Sequence, residues 1–227
     1  MTRLRPDFAL RAFSRSRRSA SREGGQGSGE ASALVIATTN QGKLREIEAI
    51  LVGIPFALQT LKDYPETAEP SETGQTFGEN ARLKALYYAA ATGELTVADD
   101  SGLEIDALDR APGVHSARWH GSDYTVKFRK IKQLLEKRGL ATSPARFVCH
   151  LTLARGRQVL YETEHTVEGR IADAPVGHEG FGYDPIFFYP PLGVTLAQIP
   201  RDEKSRISHR GKAFFALREF LTGSPAL

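Results

Sequence analysis

Hydrophobic positions along the chain fall into three kinds of pattern. Ala33-Leu-Val-Ile-Ala-Thr38 is a short apolar run that predicts a buried strand, and it stops at Thr39-Asn40-Gln41-Gly42. From Lys43 to Leu51 the period becomes helical, with Leu44, Ile47 and Leu51 on one face. Thr76 and Glu79 have the spacing of a capping box for a helix from Phe77 toward Ala91, closed by Gly93. Thr96-Val-Ala98 then predicts a strand whose end delivers Asp99-Asp100-Ser101-Gly102, and a helix follows from about Ser122 to Arg138. That helix carries Val126, Ile131, Leu134 and Leu135 inward and has Gly139 where a left-handed cap belongs.

Beyond Pro144 the period is two. Phe147, Cys149, Leu151 and Leu153 alternate with Val148, His150 and Thr152, and Arg155-Gly156 leads into Val159, Tyr161, Thr163 and His165, which predicts a β-hairpin. A Gly-rich loop, His178 to Pro185, precedes strand-like Ile186-Phe-Phe-Tyr189, and a last helix is expected from about Glu203 to Leu221. Strands alternating with helices around a central hairpin indicate an α/β protein with a mixed sheet.

Charge changes the picture only at the N-terminus. The chain of 227 residues carries a net +3, but residues 1–32 hold seven Arg against Asp7, Glu23 and Glu30, a net of +4, which leaves −1 for the rest. The body is close to neutral, and this argues against a nucleic-acid-binding module acting through it. Residues 15–32 are rich in Ser, Gly and Arg and are expected to be disordered, so 1–32 is read as a basic tail. A transit peptide, a contact for RNA or anionic lipid and an upstream extension of the reading frame are its alternative readings. A domain is expected over 33–222, followed by a short tail over 223–227. No apolar run reaches the ~18 residues of a membrane span. A single Cys excludes a disulfide framework and fits a reducing, cytoplasmic setting.

Familiar site patterns are missing: there is no GxxxxGK[ST], HExxH or GxSxG. Four other segments could carry chemistry. Asp99 and Asp100 follow a strand directly, where one carboxylate could face a crevice and suit Mg²⁺ with phosphates, although the pair alone fits a solvated Asp-rich turn better. Thr38 to Lys43 fits an anion site at a helix start, or a cap with a surface lysine. Lys204, Arg206, His209, Arg210 and Lys212 crowd the expected start of the last helix, where cations are misplaced unless an anion is present. Gly180-Phe-Gly-Tyr-Asp184 offers aromatic faces for a base and a carboxylate for a purine N–H, or else a tight turn with Phe181 and Tyr183 in the core.

Together these segments carry a resemblance. Ala37-Thr-Thr-Asn-Gln-Gly-Lys43, Glu72-Thr-Gly-Gln-Thr-Phe77 with Glu79-Asn80-Ala81, Ala98-Asp-Asp-Ser-Gly-Leu103, Ala111-Pro-Gly-Val-His-Ser-Ala-Arg118, Gly180-Phe-Gly-Tyr-Asp-Pro-Ile-Phe187 and Glu203-Lys-Ser-Arg-Ile-Ser-His-Arg210 occur in this order. The chain resembles the inosine triphosphate pyrophosphatase family, the Ham1-like or non-canonical purine NTP pyrophosphatases, over about 33–222. The resemblance implies an elongated mixed β-sheet with flanking helices, two lobes with the active-site cleft between them, a homodimer, and Mg²⁺-dependent hydrolysis of ITP, dITP and XTP to the monophosphate and pyrophosphate. It further implies that Thr38, Thr39, Asn40, Gln41, Gly42 and Lys43 hold the triphosphate, that Asp100 is general base and metal carboxylate, and that Ser101 contacts substrate. Phe181, Gly182, Tyr183, Asp184, Lys204, His209 and Arg210 would contact base and phosphate, and Glu72 or Glu69 would complete the metal site. Thr39, His178-Glu179 and Ile199-Pro200 depart from the usual pattern, which bears on substrate preference. A Maf-like nucleotide pyrophosphatase would share the metal chemistry but not this motif set.

Overall fold

The computed structural model describes residues 32–224; the expected basic tail, apart from Ser32, and residues 225–227 lie outside them. Seven strands form one mixed sheet in the order β2-β1-β3-β4-β5-β6-β7. β1 (Ala33–Ile36) pairs in parallel with β2 (Ala57–Thr60) and with β3 (Leu95–Ile105), and the remaining pairs are antiparallel. β4 (Pro144–Arg155) and β5 (Gln158–Ile171) are the expected hairpin, extended at both ends, and β6 (Phe187–Tyr189) and β7 (Val194–Thr195) close the sheet.

The helices cover both faces. α1 (Gln41–Leu51) buries Leu44, Ile47, Ile50 and Leu51 against α5 (His209–Gly223) and the β4 residues Cys149, Leu151 and Leu153. Each such aliphatic side chain contributes about 1.5–3 kcal/mol through removal from water. α2 (Phe77–Thr92) places Ala85, Tyr88 and Ala89 on Ala37, Ala98 and Ala154 across the sheet. Its capping box and its left-handed Gly93 are both formed. α3 (Tyr124–Lys137) sends Ile131 and Leu135 into another cluster with Leu103, Ile105 and Phe147. The expected two lobes correspond to two clusters within one compact unit, because β3 and β4 are long enough to contribute to both.

Four expectations need correction. β3 does not end at Ala98: it runs through Asp99 (opposite Leu151) and Asp100 (opposite His150) to Ile105, because β4 pairs with it along its whole length. The last helix is two helices, α4 (Arg201–Ile207) and α5, since Ser208 adopts an extended backbone and its side chain accepts from Gly211 N at 3.0 Å. Only glycine fits the junction, as a Cβ at 211 would fall 1.6 Å from the Ser205 carbonyl oxygen. The tail does not begin at 223, because α5 includes Gly223. On α3 the buried neighbour is Lys127, while Val126 is only half-buried.

Candidate active site

β1 ends at Ile36, and the chain crosses the carboxyl end of the parallel strands into α1, where the Asn40 side chain caps the helix by accepting from Gly42 N (2.9 Å) and Lys43 N (3.1 Å). Such a cap is worth about 1 kcal/mol. It also fixes Lys43, whose Nζ donates to Asp99 Oδ2 at 2.8 Å. The helix start therefore has a protein carboxylate within reach.

Alternation along β3 separates the paired carboxylates, as the period of two requires. Asp99 points to Lys43, Ser101 Oγ (3.0 Å) and Arg210 Nε (3.6 Å). Burial alone would raise its pKa, but the fields of Lys43 and Arg210 hold the carboxyl well below the usual range. Asp100 faces the opposite way, accepting from Asn80 Nδ2 at 3.1 Å and lying 3.4 Å from Lys84 Nζ. Lys84 also donates to Glu72 at 2.7 Å, and the other Glu72 oxygen pairs with Arg118. The motif spacing gave no hint of Lys84. It sits one helical turn beyond Asn80 on the inner face of α2, so the capping box that predicts the helix also predicts their shared face.

On the other side of Lys43, Glu46 of α1 bridges two cations. Its Oε1 accepts from Lys204 Nζ (2.9 Å) and its Oε2 from Arg210 Nη1 (2.7 Å). Lys204 also donates to Asp184 Oδ2 at 2.6 Å, which in turn accepts from Phe181 N at 2.8 Å. Cations at the helix start are thus balanced by Glu46, Asp184 and Asp99, a correction to the argument that they demand an external anion. His209 stacks on Phe147 with centroids 4.8 Å apart, and its Nδ1 is buried with no partner among the described residues. Desolvation, reinforced by Arg210 and Lys204, drives its pKa well below 6.5, so the imidazole is neutral.

Two cavities result. One is lined by Phe181, Tyr183, Asp184, Lys204, His209 and Arg210, with about 60 Å³ of free room. The other, of about 270 Å³, is lined by Thr38, Thr39, Glu69, Glu72, Lys84, Asp100 and Arg118. Asn40, Lys43, Ser101 and Ala117 border both. Of the expected site residues, Gln41 lies outside both cavities, and Gly42 acts by its size: a Cβ there would come within 2.8 Å of the Phe181 ring. Glu72 is half-buried, whereas Glu69 is exposed at the rim.

The oxygen donors of the larger cavity suit a hard divalent cation. Asp100 and Glu72 already converge on one positive group, the Lys84 ammonium. Among the described residues no cluster of three or more His, Cys, Asp or Glu forms, so phosphate and water oxygens would complete the shell, as Mg²⁺ prefers.

Comparison with known proteins gives concordant results. The model of the Ham1 family matches residues 34–220. The chain is 47% identical over 180 residues to a dITP/XTP pyrophosphatase of an Exiguobacterium species, covering 79% of this chain and 92% of that relative. It is 45% identical to the dITP/XTP pyrophosphatase of Geobacter sulfurreducens, covering 83% and 96%. The solved structure of a HAM1 protein from Coxiella burnetii superposes with a TM-score of 0.78 at 37% identity, covering 84% of this chain and 98% of that one.

Proposed function

The chain belongs to the Ham1 family, and from that premise we propose that it hydrolyses ITP, dITP and XTP to the nucleoside monophosphate and pyrophosphate, clearing abnormal purines from the nucleotide pool. The observation that carries this reading is the joining of a cation-rich acidic cavity to an aromatic one across Lys43 and Ser101. The charges of the first match a triphosphate, and the Phe181 ring in the second matches a purine base. Among the described residues no helix is long and apolar enough to cross a membrane. The proposal extends to a cytoplasmic enzyme acting as a homodimer, as the family resemblance implies.

In this mechanism Lys43, Lys84 and the Thr38–Asn40 segment bind the phosphates, and Asp100 orients a water for in-line attack at the α-phosphorus. Asn80 holds Asp100 in place from α2. A Mg²⁺ ion held by Asp100, Glu72 and substrate oxygens would supply neutralisation of the developing phosphate charge. Glu69 stands further out and serves as an alternative ligand. Phe181 stacks on the base. Neutral His209, which lines the aromatic cavity, pairs with a 6-oxo group through a ring N–H; adenine's 6-amino group leaves that donor unpaired, at a cost of about 1–3 kcal/mol.

A panel of purine and pyrimidine nucleoside triphosphates with Mg²⁺, scored by pyrophosphate release, tests the reading. Preferential turnover of dITP and XTP is expected. Preferential turnover of pyrimidine nucleotides would instead favour Maf-like chemistry, and release of orthophosphate would refute attack at the α-phosphorus.

A further inference from the structure

Lys127 is fully buried, with none of its surface exposed. Its ammonium donates to the carbonyl oxygens of Ser116 (3.0 Å) and Ala117 (2.7 Å) and stands 4.2 Å from the centroid of the Tyr124 ring. Among the described residues no carboxylate pairs with it, and desolvation lowers its pKa. Burying a cation without a counter-ion costs stability that an apolar side chain of the same length would not forfeit. Tyr183 Oη donates a second bond to the Ser116 carbonyl at 2.9 Å.

Those bonds fix the orientation of one peptide unit. A trans peptide points its N–H opposite to its C=O, so with the Ser116 oxygen turned to Lys127 the Ala117 N–H turns away from it. On either side the neighbouring amides are used, Ser116 N donating to the Gly113 carbonyl and Arg118 N to that of His115. Ala117 N–H has no acceptor among the described residues. Ala117 is also one of the four residues that border both cavities. A charge-assisted bond to the carbonyl polarises the whole amide, which strengthens the N–H at its other end as a donor.

We propose that Lys127 is a positioning residue that presents the Ala117 N–H, at the junction of the two cavities, as a fixed donor to the nucleotide oxygens between base and β-phosphate, those of the sugar and the α-phosphate. The proposal rests on the nucleotide reading above. A backbone donor set in this way needs no reorganisation when the ligand arrives.

The test uses the full chain labelled with ¹⁵N-alanine, the Ala117 amide being assigned by its disappearance in Ala117→Gly. Addition of α,β-methylene dITP with Mg²⁺ should move that amide downfield. In Lys127→Met the Kd for the analogue should rise about tenfold or more, the loss of one hydrogen bond to a charged group, while kcat for dITP falls less than about threefold. Tyr183→Phe should raise Kd in the same direction by less. An Ala117 amide that stays put while the wild-type protein binds the analogue overturns the proposal. So does a folded Lys127→Met protein with unchanged Kd. If that variant does not fold, the wild-type amide shift alone decides. A wild-type protein that turns over dITP yet fails these tests refutes only Lys127's role; one that neither turns over dITP nor binds the analogue refutes the nucleotide reading and this proposal with it.

Discussion

The two cavities share a wall but are built in different ways. Around the aromatic cavity the charges of Glu46, Asp99, Lys204 and Arg210 are closed on one another, with side chains between 1% and 11% exposed. In the acidic cavity the outermost cation, Arg118, is 71% exposed, the Lys84 to Asp100 contact is long at 3.4 Å, and the free room is about 270 Å³ against about 60 Å³. Buried pairs lose far more when one partner is removed than exposed ones do. If the function proposed above holds, the closed network of the aromatic side belongs to the fold, whereas the acidic side has ion pairs that an incoming triphosphate and metal would take over. Substitutions on the first side should therefore cost stability, and those on the second should cost turnover.

The largest effect is expected at Glu46. Glu46→Gln removes the one carboxylate that Lys204 and Arg210 share, leaving Lys204 only Asp184 and Arg210 only the longer contact to Asp99, and should lower unfolding free energy by about 3 kcal/mol, the lower end for a buried pair, read from urea denaturation. A loss below about 1 kcal/mol would make the base-side network as replaceable as a surface pair, and the contrast would collapse. Next comes Asp100→Asn, which should reduce kcat for dITP by ~10²-fold or more. Its stability should stay within about 1 kcal/mol of wild type, because Lys84 retains Glu72 as a partner. Near-normal turnover in that variant would remove Asp100 from the reaction.

These two residues also mark how far the sequence could be read. The placement of the Asp99-Asp100 pair was legible, since alternation assigns one carboxylate to the cavity and one to the interior, but the choice of Asp100 came from the family resemblance and not from the pair itself. Glu46 was not legible. It falls on the half-polar flank of an amphipathic helix, where a glutamate is ordinary, and its meaning depends on cations 158 and 164 positions away in the chain. Lys127 failed for the opposite reason: helical periodicity assigns lysine to solvent, and only the carbonyls of Ser116 and Ala117, which no local pattern brings near, make its burial tolerable. The β3 boundary was misread because Asp-Asp-Ser-Gly has turn composition, while the long pairing with β4 overrides it. Patterns decided element types and the motif segments; long-range charge pairing decided which side chains complete the site.

A smaller effect is expected on base binding. Phe181 lies within 5.3 Å of both Lys204 Nζ and Arg210 Cζ, measured to its ring centroid, so it is held between charges that belong to the fold. Phe181→Ala should weaken binding of α,β-methylene dITP by roughly 1–3 kcal/mol, the range for one stacking contact. Gly42→Ala, which pushes on the same ring from α1, should act in the same direction while Phe181 is present and add nothing once it is absent. Additive losses in the double variant would show that Gly42 acts through something other than the ring.

The finest test is a pH dependence confined to the aromatic side. His209 has a folded pKa well below 6.5, so as pH falls through 6.5 the unfolded chain takes up a proton that the folded protein refuses. Stability contributed by this group is therefore complete above the unfolded pKa and declines on acidification. For one such group the loss between about pH 7.5 and about pH 5.5 comes to about 1.4 kcal/mol. Asp99 and Glu46 do not interfere, because their lowered pKa values start from 3.8 and 4.5 and act in a more acidic window. His165, also lowered by desolvation, contributes to the wild-type and variant proteins alike. His209→Phe keeps a ring against Phe147 and removes the titration, so its loss of stability over that interval should be smaller than wild type by that amount. Equal losses in the two proteins would mean that water reaches the His209 nitrogen and protonates it in the folded state, and the aromatic side would then be as open to solvent as the acidic one.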